Sequence, residues 1–404
     1  MIYRVRVWDR SNGDHRPVGE MVSEIAESGR TKSAFRYEND YLQRDDAFAL
    51  DPVSLPLKSD SFSTDHPGIF GVFEDSLPDD WGRRLLVRKH RIPRHEQNLP
   101  KMLLALGNSG LGALSFTNHA KPAAPAADTS ILHLSSLVEA AEKFERGEIQ
   151  DRELSLLFSA GSSPGGARPK VVVLDEELNV HYLAKFPSVK DQEDLVKIEA
   201  ATMNMAAKAG LSVPLTRLVH CANKSVLLVQ RFDVIPAGRR HMISFQTLLK
   251  AHGYYQQRYQ ELLAIVRKYS NDPLDDSERL YRQMVFNAVV GNTDDHLKNF
   301  WMIHDREQGW RLSPAFDLIP DVGRNGEHVL FFDLGAYYPG RQKLENLGRS
   351  WGIRNAEKVV AEVFSAVAGW KEEFTGVGVP EKDIIRFKEI DAHLHFNEGK
   401  DAKK

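Results

Sequence analysis

Residues 289–301 read VVGNTDDHLKNFW, and the fold turns on this stretch. Asp294 is followed five positions later by Asn299, with Lys298 just before it. A carboxylate that can take a proton from a hydroxyl, and an amide oxygen that can hold a metal ion one short loop away, are what phosphoryl transfer needs. Lys298 can neutralise charge that develops on the transferred group. Further on, RLSPAFDLIP (311–320) follows a predicted strand, WRL, and brings Asp317, a second oxygen ligand for a hard octahedral cation such as magnesium. Taken singly, Asn292, Asp294 and Asp295 also suit turns or helix caps, and His296 a satisfied polar side chain. Their order and spacing carry the reading.

Three features upstream fit the same chemistry. The loop GSSPGGARPK (161–170) leads into the strand VVVL, and Gly165 and Gly166 let backbone N–H groups approach a bound anion. A Walker A reading fails, because Ala167 stands where lysine is required, and the loop reads either as a phosphate cradle of Gly165, Gly166, Ala167 and the later Lys170 or as a simple surface turn rich in Ser, Pro and Gly. In HYLAKFP, strand alternation sets Tyr182 and Ala184 on one face and Leu183 and Lys185 on the other. Lys185 is expected to face inward and to need a partner, and Glu199, fourteen residues on in the helical text DLVKIEAATMNMAAKAG, can serve. Protein kinases hold the ATP phosphates with such a strand lysine and helix glutamate. SVLLVQRFDV (225–234) reads as an apolar strand ending in Gln230, Arg231, Phe232 and Asp233, either a core strand with a polar end or the backbone hinge that contacts adenine.

The whole chain sets the frame. Its 404 residues exceed what one core fills, so two or three domains are expected. With 53 basic and 56 acidic side chains, net charge −3, the chain as a whole has no bias toward nucleic acid, and unaided DNA binding is not expected. A single cysteine, Cys221, excludes an internal disulfide framework and suits a reducing compartment. No run approaches 18 apolar residues and MIYRVRVWDR is not a signal-peptide core, so a cytoplasmic protein without membrane contact is expected.

YRVRVWD and AFALDPVSLPL read as strands, PDDWGRRLLVRKHRI as a helix, and NHAKPAAPAADTS (118–130) as a linker or surface loop. Beyond Ile243 the text is mainly helical: FQTLLKA, YQELLAIVRKYS, SERLYRQMVFNAVVGN, AEKVVAEVFSAVAGWKEEF and EKDIIRFKEIDAHLHF. Strand-rich text first and helix-rich text last predict an α+β, protein-kinase-like two-lobed fold. The expected divisions are an amino-terminal subdomain at 1–125, the nucleotide-binding part of that lobe at 126–243, and a helical catalytic lobe at 244–404.

Together the segments FEDSLPDDWGRRLL, LGALSF (111–116), GSSPGGARPK, AKFPS, QRFD, NTDDHLKNF and LSPAFDLIP resemble, in order and over nearly the whole chain, the HipA-type serine/threonine kinase toxins of bacterial toxin–antitoxin pairs. The resemblance implies Asp294 as catalytic base, Lys185 on the ATP phosphates, Asn299 and Asp317 on Mg2+, and Gln230, Arg231 and Phe232 as the adenine hinge. It also implies that His296 and Lys298 approach the nucleotide, and that a glycine-loop serine, Ser163 or its neighbour Ser162, is autophosphorylated to switch the enzyme off. Phosphate there would repel ATP from a cradle built for phosphate. The implied partners are a helix-turn-helix antitoxin, HipB-like, which holds the kinase on operator DNA mainly indirectly, and a protein substrate such as an aminoacyl-tRNA synthetase. Asp295 stands where many relatives have a small residue, and Pro164, Arg168 and Pro169 alter the loop. A small-molecule kinase of related fold and a catalytically silent antitoxin-binding scaffold are the competing readings.

Overall fold

The computed structural model describes residues 1–123, 128–159, 168–321 and 326–396. Two units emerge: Met1–Val189 with His220–Lys250 and Ile303–Gly309, and Lys190–Val219 with Ala251–Met302 and Trp310–Lys404.

The first unit opens with a five-stranded antiparallel sheet in the spatial order Ser61–Ser63, Thr31–Tyr37, Arg16–Ile25, Ile2–Asp9, Leu114–Thr117. Alternation buries Val5 and Val7 while Arg4 and Arg6 stay outside, the period-two pattern of YRVRVWD. Gly19 sits mid-strand because a Cβ there would strike the Arg36 carbonyl and the Phe35 ring. AFALDPVSLPL is not the expected strand. Asp51 turns this segment by accepting the N–H groups of Val53 and Ser54 at 2.8 and 3.0 Å, and Tyr37 fastens it by donating to the Leu55 carbonyl and accepting from Leu50 N–H. Helix Asp80–His90 follows Pro78 and Asp79 as its start signal requires and buries Trp81, Leu85 and Leu86. Its last turn carries Arg88, Lys89 and His90, which suits the negative end of the helix dipole.

Strands Lys170–Asp175, Val180–Lys185 and Lys224–Gln230 pair antiparallel as a second sheet. The far end of the expected linker is tied to it, because Leu174 N–H donates to the Thr129 carbonyl at 2.8 Å. Buried Asp233, just past the last of these strands, fastens the amino-terminal subdomain to this sheet. It accepts Arg231 Nε and Nη2 at 2.9 and 2.5 Å and the Gly112 N–H at 2.9 Å, with Arg239 at 3.6 Å. Burial pushes the Asp233 carboxyl up, but the Arg231 charge and hydrogen bonds, with Arg239 and Gly112, outweigh it and hold it well below the usual carboxylate range.

The second unit is helical. Pro273–Val290, its longest helix, starts on Asp272, whose side chain accepts Asp275 N–H at 3.2 Å, and has proline in its first turn. It buries Leu280, Tyr281, Met284, Val285, Ala288 and Val289. Gly348 allows helix Arg341–Ser350 to cross it closely, since a Cβ there would lie 2.5 Å from the Tyr281 ring. Three helical readings need correction. AEKVVAEVFSAVAGWKEEF forms two helices, Ala356–Ala368 and Trp370–Gly376, parted at Gly369, where glycine is costly inside a helix. FQTLLKA is helical only over Phe245–Leu248, and EKDIIRFKEIDAHLHF is broken into short turns of helix.

Candidate active site

The catalytic-loop segment begins where helix Pro273–Val290 stops. Gly291, at φ 72°, ends the helix in the left-handed region that glycine adopts without penalty. Asn292 then donates from Nδ2 to the Asn287 side-chain oxygen at 3.0 Å, and Thr293 donates its hydroxyl to Asp321 at 2.8 Å. The next two aspartates go opposite ways. The Asp294 side chain is 71% exposed, whereas Asp295 is fully buried.

Asp295 takes four hydrogen bonds. Its Oδ2 accepts from the Tyr259 hydroxyl at 2.6 Å and from His328 Nδ1 at 2.9 Å; its Oδ1 accepts the N–H groups of Val329 and Leu330 at 2.9 and 3.2 Å. Tyr259 is itself held by Asn287, at 3.2 Å. A buried carboxylate must find such partners, and here they come from two distant parts of the unit, Tyr259 and the segment 328–330. The loop is pinned from beneath, one residue after Asp294.

Beyond it the chain makes a tight turn over Leu297–Asn299. Leu297 N–H donates to the Tyr255 hydroxyl at 3.1 Å, Asn299 N–H to the His296 carbonyl at 2.8 Å, and Trp301 Nε1 to the Lys298 carbonyl at 2.6 Å. Asn299 Nδ2 donates to the Asp294 carbonyl at 2.7 Å. That bond commits the amide nitrogen and leaves the amide oxygen as the group that can take a cation. His296 Nε2 lies 3.9 Å from Asp294 Oδ1.

Asp317 sits half-buried with φ 56°, a left-handed conformation that aspartate tolerates better than most residues and that clusters at functional sites. Desolvation pushes the Asp294 carboxyl up, Asp317, Asp295 and Asp321 push it the same way, and His296 pulls it down. Carboxylates crowded in this way favour a bound cation. Among the described residues no three His, Cys, Asp or Glu side chains converge as a preformed metal cage. Asn299 and Asp317 would give two oxygens and leave the rest to phosphate and water, the usual way a protein holds magnesium. The residues present fit the ion.

In the first unit, Lys170 and Lys185 are directly opposite one another across antiparallel strands, so both project from one face. Lys170 is buried and Lys185 half-buried. The opposite face, with Val171, Val173, Tyr182 and Ala184, is the buried one. Lys185 therefore projects from the half-exposed face, next to Val172 and Leu183, instead of into the core. Gln230 stands opposite Tyr182 at the end of the neighbouring strand. Arg231 gives its guanidinium to Asp233 and its N–H to the His181 carbonyl at 2.9 Å, which confines any contact with a base to its own carbonyl. Phe232 is half-buried. Glu199 is buried on helix Leu195–Lys208 of the second unit. Ser162, Ser163, Gly165, Gly166 and Ala167 lie outside the described residues.

Tyr259, His328 and Tyr255 were not legible as site residues, because nothing local marks them. They lie 36, 33 and 42 positions from the loop residues they hold.

The two units make up a two-lobed, protein-kinase-like α+β fold that carries a loop suited to phosphoryl transfer. Comparison with known proteins sharpens that class. Residues 15–117 match the HipA N-terminal domain and residues 162–370 the HipA-like C-terminal domain. The chain belongs to the HipA family. Two proteins of Sinorhizobium fredii, "Putative kinase Y4mE" and "Putative kinase Y4dM", are 25% and 24% identical to it, over 75% and 76% of this chain and 76% and 77% of theirs. The fold is also that of HipA in the Shewanella oneidensis MR-1 toxin–antitoxin complex of HipA, HipB and operator DNA, with a TM-score of 0.70 and 18% identity over 96% of this chain and 95% of that one. Among the described residues no helix is long and apolar enough to cross a membrane.

Proposed function

We propose that the protein is a toxin-type kinase that transfers the γ-phosphoryl group of ATP to a serine or threonine hydroxyl of a cytoplasmic protein. The observation that carries this reading is the exposed Asp294, pinned by the buried Asp295 and closed by the Asn299 amide. Asp294 accepts the proton of the acceptor hydroxyl as its oxygen bonds to phosphorus and the bond to the ADP oxygen breaks. Asn299 and Asp317 would hold Mg2+, which would neutralise charge on the phosphate oxygens. Lys170 and Lys185 bind the phosphates, Lys298 and His296 approach the nucleotide, and Glu199 orients Lys185. Gln230, Phe232 and the Arg231 carbonyl contact adenine, and Gly165, Gly166 and Ala167 cover the phosphates.

Autophosphorylation at Ser163 or Ser162 limits activity. A HipB-like helix-turn-helix antitoxin neutralises the enzyme and carries it to operator DNA. A translation component such as an aminoacyl-tRNA synthetase is the acceptor class we favour. Incubation of lysate with labelled ATP tests the assignment: one labelled band, lost with Asp317→Ala, supports it and names the substrate. Label passing only to a small molecule would favour a metabolite kinase. No magnesium-dependent turnover would leave an antitoxin-binding scaffold.

A further inference from the structure

Although the chain is acidic as a whole, residues 80–95, DWGRRLLVRKHRIPRH, carry six lysines and arginines against one aspartate. Four of these six, Arg84, Arg88, Arg91 and Arg94, are exposed, while Arg83 pairs with Glu74 at 3.3 Å. Helix Asp80–His90 buries Trp81, Leu85 and Leu86 and leaves Arg84 and Arg88 exposed beside them, and Arg91 and Arg94 follow as exposed residues. A spacing of four residues stacks Arg84 and Arg88 along one side of the helix, and Arg91, its left-handed C-cap residue, follows directly. Among the described residues, Arg84, Arg88 and Arg94 meet no carboxylate within ion-pair distance, and Arg91 meets only the exposed Asp151, at 3.6 Å. Like charges four apart weaken a helix, and here intramolecular acids do little to offset them.

We infer that this arginine face binds the phosphate backbone of duplex DNA directly, so that the kinase itself adds to the hold of its antitoxin complex on DNA. The inference rests on the antitoxin reading above for its choice of nucleic acid. The chemistry of the face narrows the occupant further. A membrane-binding helix would expose large apolar side chains beside its cations, but those of this helix are buried. Single-stranded nucleic acid would need open aromatic platforms. The nearby Phe144 and Phe158 are already covered by Arg84 and Lys89, at 5.8 and 5.1 Å. What remains is a row of point charges, which suits a regular row of phosphates. Net acidity elsewhere does not prevent this, because surface charges more than about 8–10 Å apart are screened at physiological salt.

The test measures fluorescence anisotropy of a labelled random-sequence DNA duplex with the full-length protein, without antitoxin, across a salt series. Binding should weaken as salt rises, with a log–log slope near −0.9 per phosphate contacted. The variant Arg88→Gln/Arg91→Asn/Arg94→Gln, with asparagine chosen for the left-handed Arg91 position, should bind at least about tenfold more weakly and lose about 2 to 3 from the slope magnitude. Should that variant unfold, Arg88→Gln alone decides the matter through a slope change of about 1. Equal binding by wild type and variant, no binding by the wild type, or binding to duplex RNA or phosphatidylserine vesicles in preference to DNA would overturn the proposal. Magnesium-dependent ATP turnover of the same preparations is read in parallel. A catalytically dead protein that still binds DNA through these arginines refutes only the kinase reading, and an active one that ignores DNA refutes only this one.

Discussion

Asp295→Asn is the most informative single substitution in this protein. The asparagine oxygen can still accept from Val329 and Leu330, but its amide nitrogen now faces the Tyr259 hydroxyl and His328 Nδ1. Two charge-assisted bonds, about 1.5–3 kcal/mol each, are thereby lost. Part returns, because a tyrosine oxygen and the other histidine tautomer can accept from the amide. A net loss of about 2–4 kcal/mol of stability follows, measurable by urea unfolding. The loop would stay folded but lose its fixed height, and a displacement of about 1 Å at a reacting group costs on the order of a hundredfold in rate. We expect kcat to fall about 10- to 100-fold, with the Kd for ATP changed less than about threefold, since the lysines of the first unit are untouched. A variant as stable and active as wild type would refute the reasoning. So would one whose ATP affinity falls in step with kcat, because Asp295 would then be serving the nucleotide and not the base.

Three further outcomes follow from the same geometry. Asp294→Asn keeps the loop's backbone bonds but removes the proposed proton acceptor, so phosphate transfer should drop by about 10²–10⁴ while ATP still binds by calorimetry. Arg231→Ala strands the buried Asp233 carboxylate without its two-bond partner and should cost about 3–5 kcal/mol in chemical unfolding, with the amino-terminal subdomain becoming protease-sensitive. Burial pushes His241 down to about 3 and His304 to about 4, so below pH about 6.5 the unfolded chain takes up protons that the native chain refuses. Stability should therefore be full above that pH and fall by on the order of 3 kcal/mol between pH 6.5 and 5, a slope that His241→Gln/His304→Gln flattens.

Local patterns in the chain determined a good deal. Period-two alternation marked YRVRVWD and HYLAKF, a short apolar run marked VVVL, apolar spacing marked the helix that ends at Gly291, and the five-residue step from Asp294 to Asn299 marked the candidate site. Such signals are legible because they come from the backbone repeat or from chemistry completed within a few residues. The tertiary structure decided which of two adjacent aspartates faces solvent and which is buried. Sequence offers Asp294 and Asp295 as near equals, and only the arrival of Tyr259, His328 and two backbone amides from far along the chain separates them. Likewise, the strand expected over AFALDPVSLPL gave way to a turn built on Asp51 and the distant Tyr37, and Arg231 of the expected hinge was claimed by Asp233. A buried charge is stable only where its partners are, and partners brought by folding leave no mark beside it in the sequence.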